Sequence, residues 1–334
     1  MKAAILTESK KPLIIDDINL KNPLDYGQVL VKIEYTTICG SQLGEIDAVK
    51  GPDKFLPHLL GHEGSGTVLE IGPGVKNVKP NDKVVLHWRK GKGIEAPTPQ
   101  YLWGNKTINA GWITTFNEQA VISENRLTKL PENVDMKLAP LYGCAITTGF
   151  GVVSHDAKMK IGESILIFGV GGVGLPIVCA AKLNSASNIT VVDIHEHKLK
   201  LAKSLGANTT INSIHENIEK QAEKFDIVVD CTGRKDIMTL AYNLTKDTGR
   251  TILVGVPSKN DCLCIDSMPL HFEKSITGSH GGDTYPTEDI PRISKVFNTK
   301  KLEKMITHEF DLEKINEGIQ AMREGNAIKC LIQN

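Results

Sequence analysis

Two cysteines and one histidine of this chain could together hold a metal ion. Cys39 stands two residues before Ser41, His62 is followed directly by Glu63, and Cys144 lies much further along the chain. Catalytic zinc usually has three protein ligands and one open position, and two thiolates with one imidazole is a known combination. The spacing does not prove such a site, because an isolated cysteine is more often core filler. These residues form one only if the fold brings them together.

The other five cysteines favour simpler interpretations. An odd total of seven, widely scattered, argues against a disulfide framework. Cys179, Cys231 and Cys330 each lie in an apolar run and are predicted to fill the core. Cys262 and Cys264 form a C-x-C pair, but no histidine or second pair follows at zinc-ribbon spacing. For this pair we expect core filler or an exposed strand.

A glycine-rich loop in the middle of the chain predicts a dinucleotide site. The apolar run Ile165–Phe168 suits a buried strand, the loop 169–174 opens a helix, and Asp193 ends the next strand. Glycines permit a tight turn and close approach of a pyrophosphate to a helix N-terminus. A carboxylate at the second strand accepts ribose hydroxyls and repels an extra phosphate, which favours NAD over NADP. The competing interpretation is a structural turn around Gly169, Gly171, Gly172 and Gly174.

The pattern of predicted elements indicates an α/β protein with two domains. Residues 146–282 alternate strand and helix, which predicts a doubly wound parallel sheet. The segment before them is β-rich, and 327–332 has a strand pattern that could return to it. The predicted limits are 1–145 with 283–334 for one domain and 146–282 for the other. Short strands are expected at Lys2–Leu6, Gln28–Tyr35, Gly64–Ile71, Lys83–His87 and Phe116–Ile122.

The composition of the chain disfavours some classes of binding partner. Lysine plus arginine and aspartate plus glutamate each total 39, so no overall charge attracts nucleic acid or an anionic membrane. The uncharged run 165–181 is interrupted by glycines and a proline, and we interpret it as buried core. The N-terminus has no cleavage-site pattern. A small-molecule role in the cytoplasm is therefore the expectation.

One long stretch, between His87 and Thr115, has no periodicity that predicts a strand or helix. It begins with the basic run Trp88–Gly93 and continues with Pro, Gly and Asn residues. Loops of this length often have a function, so we predict a surface lobe, with a merely solvated loop as the alternative.

In combination and order, the motifs resemble a zinc-dependent medium-chain dehydrogenase of the alcohol dehydrogenase type. The resemblance covers nearly the whole chain and implies a GroES-like catalytic domain around a Rossmann domain. Hydride transfer from an alcohol requires a stabilised alkoxide, which zinc can provide. The matching residues are Cys39–Ser41, Gly61–Gly66, Gly143–Cys144, Thr147–Gly149, Gly169–Gly174, Val192–Asp193 and Val254–Val256.

The resemblance implies a role for each residue of the catalytic domain's motifs. Cys39, His62 and Cys144 are expected to bind a single zinc ion, and Glu63 to lie beside it as a transient ligand. Ser41 is expected to pass on the substrate proton. Trp88 is expected on the wall of the substrate pocket, with core packing as the alternative.

The cofactor roles follow in the same way. Asp193 and Lys198 are expected to bind the adenosine ribose, and Lys329 a phosphate. The other expected NAD contacts are Thr148, the loop residues Gly169, Gly171, Gly172, Val173 and Gly174, and Val254 and Val256.

Three departures from the family pattern matter. No cysteine lies between Trp88 and Phe116, so the structural zinc of many relatives is not expected. Gln42 stands where relatives often have an acid that supports the zinc histidine, which puts that support in doubt. Gly40 and Gly44 replace a basic residue and a histidine found in some relatives. The outer proton path is therefore expected to differ.

The sequence thus predicts an NAD-dependent zinc enzyme that interconverts an alcohol and its aldehyde or ketone. A polyol or sugar (phosphate) dehydrogenase is the alternative within the family, and a non-catalytic NAD-binding redox sensor the alternative of another class. Relatives are dimers or tetramers, so a homodimer or homotetramer is expected, with 262–265 as a candidate pairing strand.

Overall fold

The chain forms two compact units in a computed structural model that describes residues 1–218 and 223–334. One unit comprises Met1–Cys144 and Tyr285–Asn334, and the other is Ala145–Thr284. The limits predicted from the sequence differ from these by one residue at the first boundary and two at the second. The first unit is called the catalytic unit below and the second the nucleotide unit.

Two sheets build the catalytic unit within the described residues. The six-stranded sheet has the order β2-β1-β5-β9-β8-β3 and consists of β1 (Lys2–Leu6), β2 (Ile14–Asp17), β3 (Asn19–Leu20), β5 (His58–Leu59), β8 (Gln100–Trp103) and β9 (Lys106–Asn109). The seven-stranded sheet has the order β11-β7-β6-β4-β19-β18, with β10 also on β4, and consists of β4 (Gln28–Thr37), β6 (Glu63–Ile71), β7 (Lys83–His87), β10 (Gln119–Ser123), β11 (Leu127–Lys129), β18 (Ile306–Asp311) and β19 (Lys329–Gln333).

Strand β4 lies at the centre of the larger sheet because one of its faces is apolar. Val29, Val31 and Ile33 are fully buried, while Lys32 between them is exposed. This alternation is the pattern of a strand with one face in the core. The C-terminal β19 pairs antiparallel with the end of β4, through Leu331 and Thr37. Both ends of the chain therefore contribute to this sheet.

The stretch between His87 and Thr115 contains a β-hairpin, so the prediction of a lobe without regular structure was wrong there. β8 and β9 pair antiparallel on either side of Gly104 and Asn105. Gly104 has φ +56°, a left-handed conformation that suits a tight two-residue turn. Tyr101 is fully buried, and its hydroxyl accepts a hydrogen bond from Val121 N at 2.8 Å. A buried aromatic side chain and a Gly-Asn turn were the overlooked signals.

Helices close the ends of these sheets. The catalytic unit contains α1 (Gly40–Ile46), α2 (Pro140–Gly143), α7 (Pro286–Val296) and α8 (Ile315–Arg323), with short 3-10 turns at Glu124–Arg126, Thr299–Met305 and Leu312–Lys314. The buried side of α8 presents Ile315 and Ile319 to a cluster that includes Ile38, Ile46 and Cys330. This cluster fixes the start of α1 against β19. The core role predicted for Cys330 is confirmed by its full burial.

A parallel sheet forms the nucleotide unit, in the order β14-β13-β12-β15-β16-β17. Counted along this unit, the order is 3-2-1-4-5-6, the doubly wound arrangement in which ligands bind where the order reverses. The predicted α/β class is therefore confirmed. Its elements are α3 (Ala145–Gly151), β12 (Ser164–Phe168), α4 (Gly174–Leu183), β13 (Asn188–Asp193), α5 (Glu196–Leu205), β14 (Thr209–Asn212), β15 (Phe225–Asp230), α6 (Lys235–Asn243), β16 (Thr245–Leu253) and β17 (Ser275–Gly278), with a π-helical turn at Val152–Asp156 and a 3-10 turn at Met268–Phe272.

Two smaller features complete the description. No strand forms at 262–265, where Cys262 and Cys264 are exposed, so the sheet edge is β17 instead. A search of the described residues found no helix long and apolar enough to cross a bilayer.

Candidate functional site

Each of the three predicted metal ligands lies where an element of the catalytic unit begins or ends. Cys39 directly precedes α1, and Ile38, which follows β4, donates its N–H to Cys330 O at 3.0 Å. His62 immediately precedes β6, and Cys144 directly follows α2. Side chains at such positions are held by rigid elements on both sides and still face a common space.

Glycines beside two ligands allow the backbones to come close. Gly61, next to His62, has φ +92°, and a Cβ atom there would collide with Thr115. Gly143, next to Cys144, packs so closely on Glu63 and the carbonyl of Leu86 that any side chain would force them apart. The glycines are therefore required for the approach of the ligands.

The structure brings the three predicted ligands together. The Sγ atoms of Cys39 and Cys144 and a ring nitrogen of His62 all lie within 4.8 Å of one another. Donor atoms around one tetrahedral zinc are about 4 Å apart, given Zn–S and Zn–N bonds of about 2.3 and 2.1 Å. Among residues 1–218 and 223–334, this is the only group of three or more Cys, His, Asp or Glu side chains with such spacing. Its donor set suits zinc.

A hydrogen bond between the thiols of Cys39 and Cys144 shifts the pKa of each in opposite directions. A hydrogen bond from Cys144 holds the pKa of Cys39 well below its usual range, and burial opposes this shift. The same hydrogen bond, together with burial, raises the pKa of Cys144. Burial disfavours the cation of His62, but the nearby Cys39 thiolate raises its pKa overall. The lowered pKa of Cys39 favours its thiolate, which is the form of cysteine that binds metal.

Gln42 supports the imidazole ligand. Its amide group lies 2.7 Å from Nδ1 of His62, while its Oε1 and the Nε2 of His62 are buried without a hydrogen-bond partner in the described chain. The oxygen and nitrogen of an amide are assigned by their partners. With Oε1 turned toward the ring, Nδ1–H donates to Gln42, and the lone pair on Nε2 faces the thiols. This arrangement satisfies both groups once a metal ion binds.

A buried ion pair lies behind the ligands. Lys329 Nζ donates to Glu63 Oε1, and the two side chains are 2% and 0% exposed. Burial disfavours the charge of Lys329, but attraction by Glu63 and Cys39 raises its pKa above the ordinary value. Glu63 Oε2 has no hydrogen-bond partner in the described residues. The ammonium group therefore offsets the negative charge of the ligand cluster, a role that the sequence did not predict; its predicted phosphate contact stays a prediction.

The remaining predicted residues of this unit are at least partly accessible. Ser41 is exposed on α1, one residue before the buried Gln42. Trp88 follows β7 and is half-buried, with the guanidinium of Arg89 5.9 Å from the centre of its ring. Its place on a substrate pocket stays a prediction.

A second acid–base group lies near α1 that sequence analysis missed. His58 is buried and its Nε2 lies 2.8 Å from Asp53 Oδ2, while its Nδ1 lies 2.9 Å from Leu59 O. The two residues are only five positions apart, but no motif connects them. Nothing in the sequence distinguished this histidine from a core residue.

The glycine loop of the nucleotide unit has the predicted tight turn. Gly169 follows β12 with φ +84°, and its N–H donates to Val192 O at 2.8 Å. A Cβ atom at Gly174, the first residue of α4, would overlap the carbonyl of Gly169. At Gly171 a Cβ atom would meet nothing within 4 Å. One glycine is therefore needed for packing, whereas Gly171 leaves open space.

Asp193 is positioned by the loop it faces. Its two carboxylate oxygens accept hydrogen bonds from Val170 N and His195 N, each at 2.9 Å. Both oxygens retain a free lone pair for ribose hydroxyls. Burial lowers the pKa of Lys198 on α5, partly offset by attraction to Asp193.

The other residues of the predicted NAD site are distributed over the same unit. Thr148 is buried on α3, and Gly172 and Val173 lie between β12 and α4. Val254 directly follows β16, and Val256 is 56% exposed. Their contacts with NAD stay predictions.

Comparison with known proteins covers both units. The family described as an alcohol dehydrogenase GroES-like domain matches residues 25–132, and the zinc-binding dehydrogenase family matches 172–298. The alcohol dehydrogenase class-2 isozyme 2 of Oryctolagus cuniculus is 31% identical over 371 residues, covering 99% of this chain and 97% of that protein.

Solved structures give the same picture. An alcohol dehydrogenase zinc-binding domain protein from Burkholderia ambifaria has a TM-score of 0.90 at 25% identity. Benzyl alcohol dehydrogenase from Acinetobacter calcoaceticus has a TM-score of 0.87 at 26% identity. Each alignment covers 99% of this chain and 98% of the other.

Proposed function

We propose that this chain, which belongs to the zinc-dependent medium-chain alcohol dehydrogenase family, uses one zinc ion and NAD to interconvert an alcohol with its aldehyde or ketone. As a member it is an oxidoreductase of small-molecule substrates. The single observation that carries the finer proposal is the convergence of Cys39, His62 and Cys144, with their donor atoms within 4.8 Å.

The chemistry of the catalytic unit follows from its residues. A zinc ion bound by the three ligands would supply the positive charge that makes an alcohol hydroxyl acidic near neutral pH. Gln42 holds the ring of His62 in one orientation. Ser41, exposed on α1, takes up the substrate proton. Lys329 keeps the charge of Glu63 balanced, and Glu63 retains one unpaired oxygen, which supports its proposed role as a transient ligand.

NAD is favoured over NADP by the nucleotide unit. The carboxylate of Asp193 is fixed by two backbone N–H groups, so it cannot easily turn away from a ligand on the loop. This carboxylate would repel the extra phosphate that NADP carries on its adenosine ribose. Helix α4 begins at Gly174 without a side-chain cap, which leaves its N-terminus open to a pyrophosphate.

A single zinc per chain is proposed because the lobe after Trp88 has other means of support. It contains no cysteine. The buried Glu124 accepts backbone hydrogen bonds from Lys76, Asn77 and Ile94 at 2.8–2.9 Å, and Arg126 pairs with Glu95 at 3.3 Å. These contacts bind the lobe to the larger sheet without a metal.

The substrate is proposed to be a simple alcohol. Two of the three proteins named above are described as alcohol dehydrogenases, one of them a benzyl alcohol dehydrogenase. The basic residues Arg89, Lys90 and Lys92 favour the second candidate, a polyol or sugar (phosphate) dehydrogenase. A redox sensor is disfavoured because a sensor needs neither an assembled ligand set nor an accessible Ser41.

Assembly and location are part of the proposal. We expect a homodimer or homotetramer in which exposed apolar residues before β17 are covered. A cytoplasmic location is supported by seven cysteines that all remain free thiols.

Steady-state assays would test the function directly. Purified protein loaded with zinc is mixed with NAD or NADP and a panel of primary alcohols, secondary alcohols and polyols, and NADH or NADPH absorbance is followed. The proposal predicts reduction of NAD by alcohols and at least tenfold lower kcat/KM with NADP, about 1.4 kcal/mol. A preference for polyols favours the second candidate. Tight NAD binding without turnover of any alcohol, aldehyde or ketone would contradict the proposal.

A further inference from the structure

Helix α1 presents two different faces to its surroundings. Gln42 and Ile46 are 2% and 1% exposed and form the buried face, from which Gln42 reaches His62. Ser41 and Glu45 are both exposed and also stand four residues apart. Side chains at i and i+4 lie one above the other on a helix, with Cβ atoms about 6 Å apart. Helix α1, which contacts His62 through Gln42, thus places the Ser41 hydroxyl and the Glu45 carboxylate on one side.

Between these two residues the helix offers no other proton acceptor. Leu43 is apolar, Gly44 has no side chain, and Gln42 is engaged with His62. Among the described residues the Glu45 side chain has no hydrogen-bond or ion-pair partner, and only its backbone carbonyl accepts a hydrogen bond, from Ala48 N at 3.1 Å. Its carboxylate is therefore free to interact with the hydroxyl of Ser41, directly or across one water.

The surroundings of Glu45 suit a group that gains and loses a proton. His58 from β5, His62 beside β6, and Asp53 and Lys50 from the loop after α1 are the charged or titratable groups that act on it. Burial of the carboxyl group raises its pKa, and the two histidines oppose that shift. A raised pKa makes a carboxylate a stronger base near neutral pH. The residue as a whole still reaches solvent.

We propose that Glu45 receives the substrate proton from Ser41 and releases it to solvent. This role rests on the proposed function. As the alcohol O–H bond breaks, its proton binds Ser41 Oγ while the Ser41 hydroxyl proton moves to the Glu45 carboxylate. NAD, when bound, would be the oxidant and would accept the electron pair of the substrate C–H bond as hydride. Glu45 then passes the proton to water, and reduction runs the same steps in reverse.

The first test compares Glu45→Gln with Glu70→Gln, a matched change of an exposed glutamate on β6. Stopped-flow measurement of the first turnover avoids interference from slow product release. E45Q should slow NADH formation by about tenfold or more, within the range for general base catalysis. Added imidazole buffer should restore the rate in E45Q alone, because a free base replaces the carboxylate. E70Q should match the unmodified protein.

A second readout does not depend on turnover. Binding of NAD with a fluorinated alcohol that ionises but resists oxidation should release a proton, which an indicator dye follows. That release should be slower in E45Q, with zinc content and NADH fluorescence titration unchanged.

The outcomes separate this role from the function itself. If the unmodified protein oxidises alcohols and E45Q does so at the same rate without buffer dependence, Glu45 is not the acceptor and the proposed function stands. If the unmodified protein oxidises no alcohol, both are overturned.

Discussion

At His62 a neutral amide stands where the family pattern often has a carboxylate. Gln42 is buried and lies 2.7 Å from Nδ1, so it can fix the orientation of the imidazole without adding negative charge. In the proposed zinc site two thiolates would balance the charge of the ion, while Lys329 is paired with Glu63. The ligand cluster would then be close to electrically neutral as a whole.

Replacing Gln42 should weaken metal binding. Gln42→Ala removes the partner of His62 Nδ1 and is expected to reduce zinc affinity by about 10- to 100-fold. Competition with a chromophoric chelator measures the affinity. Gln320→Ala, an exposed change on α8, is the control and should leave affinity unaltered. Equal affinity in Q42A and the unmodified protein would show that the amide plays no part.

The sequence predicted that Cys39, His62 and Cys144 come together, but not what surrounds them. Cys39, His62 and Cys144 were recognisable as a family motif, whereas the ion pair of Glu63 and Lys329 joins residues 266 positions apart. Such a contact depends on β19 returning to β4 and has no local signature. Which partners a buried charge finds is decided by the packing of elements.

At the scale of elements, the loop between β12 and α4 leads to different predictions for two of its glycines. Gly174→Ala would place a methyl group on the Gly169 carbonyl and should destabilise the protein by about 1–3 kcal/mol. Gly171→Ala faces open space and should change stability by less than about 0.5 kcal/mol. Urea unfolding measures both. NADH fluorescence titration should nevertheless show weaker binding in G171A, because its methyl group occupies room for the pyrophosphate.

Two results would contradict this description of the loop. G171A with unaltered NADH affinity would mean that the pyrophosphate does not approach there. G174A with unaltered stability would mean that the turn is looser than the structure indicates.

Asp226 on β15 contacts Ser164 on β12 and Lys246 on β16. The contribution of Asp226 to the free energy of unfolding should depend on pH. Burial opposes ionisation, but Lys246 and the N–H and hydroxyl of Ser164 lower the pKa of Asp226 to about 2. A carboxyl pKa depressed from 3.8 in the folded state adds stability above that pH. The contribution is lost as pH falls toward 2.

Asp226→Asn should therefore lower the urea midpoint at about pH 7 and less so at about pH 3. Asp247→Asn, a change at an exposed residue, is the comparison. An equal loss for D226N at both pH values would show that hydrogen bonds, rather than the charge, determine the effect.

Regular elements were predictable where one periodicity was strong. β4 and the parallel strands β12, β13 and β15 follow apolar patterns that leave few alternatives. The hairpin of β8 and β9 was missed because its strands are four residues long and each begins with a polar residue, Gln100 or Lys106. Short strands are specified by their neighbours more than by their own sequence.

For the whole molecule, the order of the motifs predicted the family, and comparison with known proteins confirms it. The two-unit architecture also followed from the sequence, since alternating strands and helices predict a doubly wound sheet. Assembly was less predictable. The candidate segment 262–265 forms no strand, and the edge of the described sheet is β17.

Exposed apolar residues before that edge predict where chains associate. Met268 and Phe272 are 62% and 66% exposed in a 3-10 turn next to β17. Phe272→Glu should shift the sedimentation coefficient toward that of a single chain, because a charge would be buried in the interface. Phe55→Glu, at a 68% exposed residue of the catalytic unit, should not. An unaltered assembly in F272E would exclude this surface.

Zinc analysis tests the central claim most directly. Elemental analysis of the purified protein, combined with X-ray absorption at the zinc edge, gives the number of ions and their neighbours. The account predicts one zinc per chain with two sulfur ligands and one imidazole nitrogen, and loss of that zinc in Cys39→Ser. Full zinc content in the variant, or a metal coordinated only by oxygen, would contradict it.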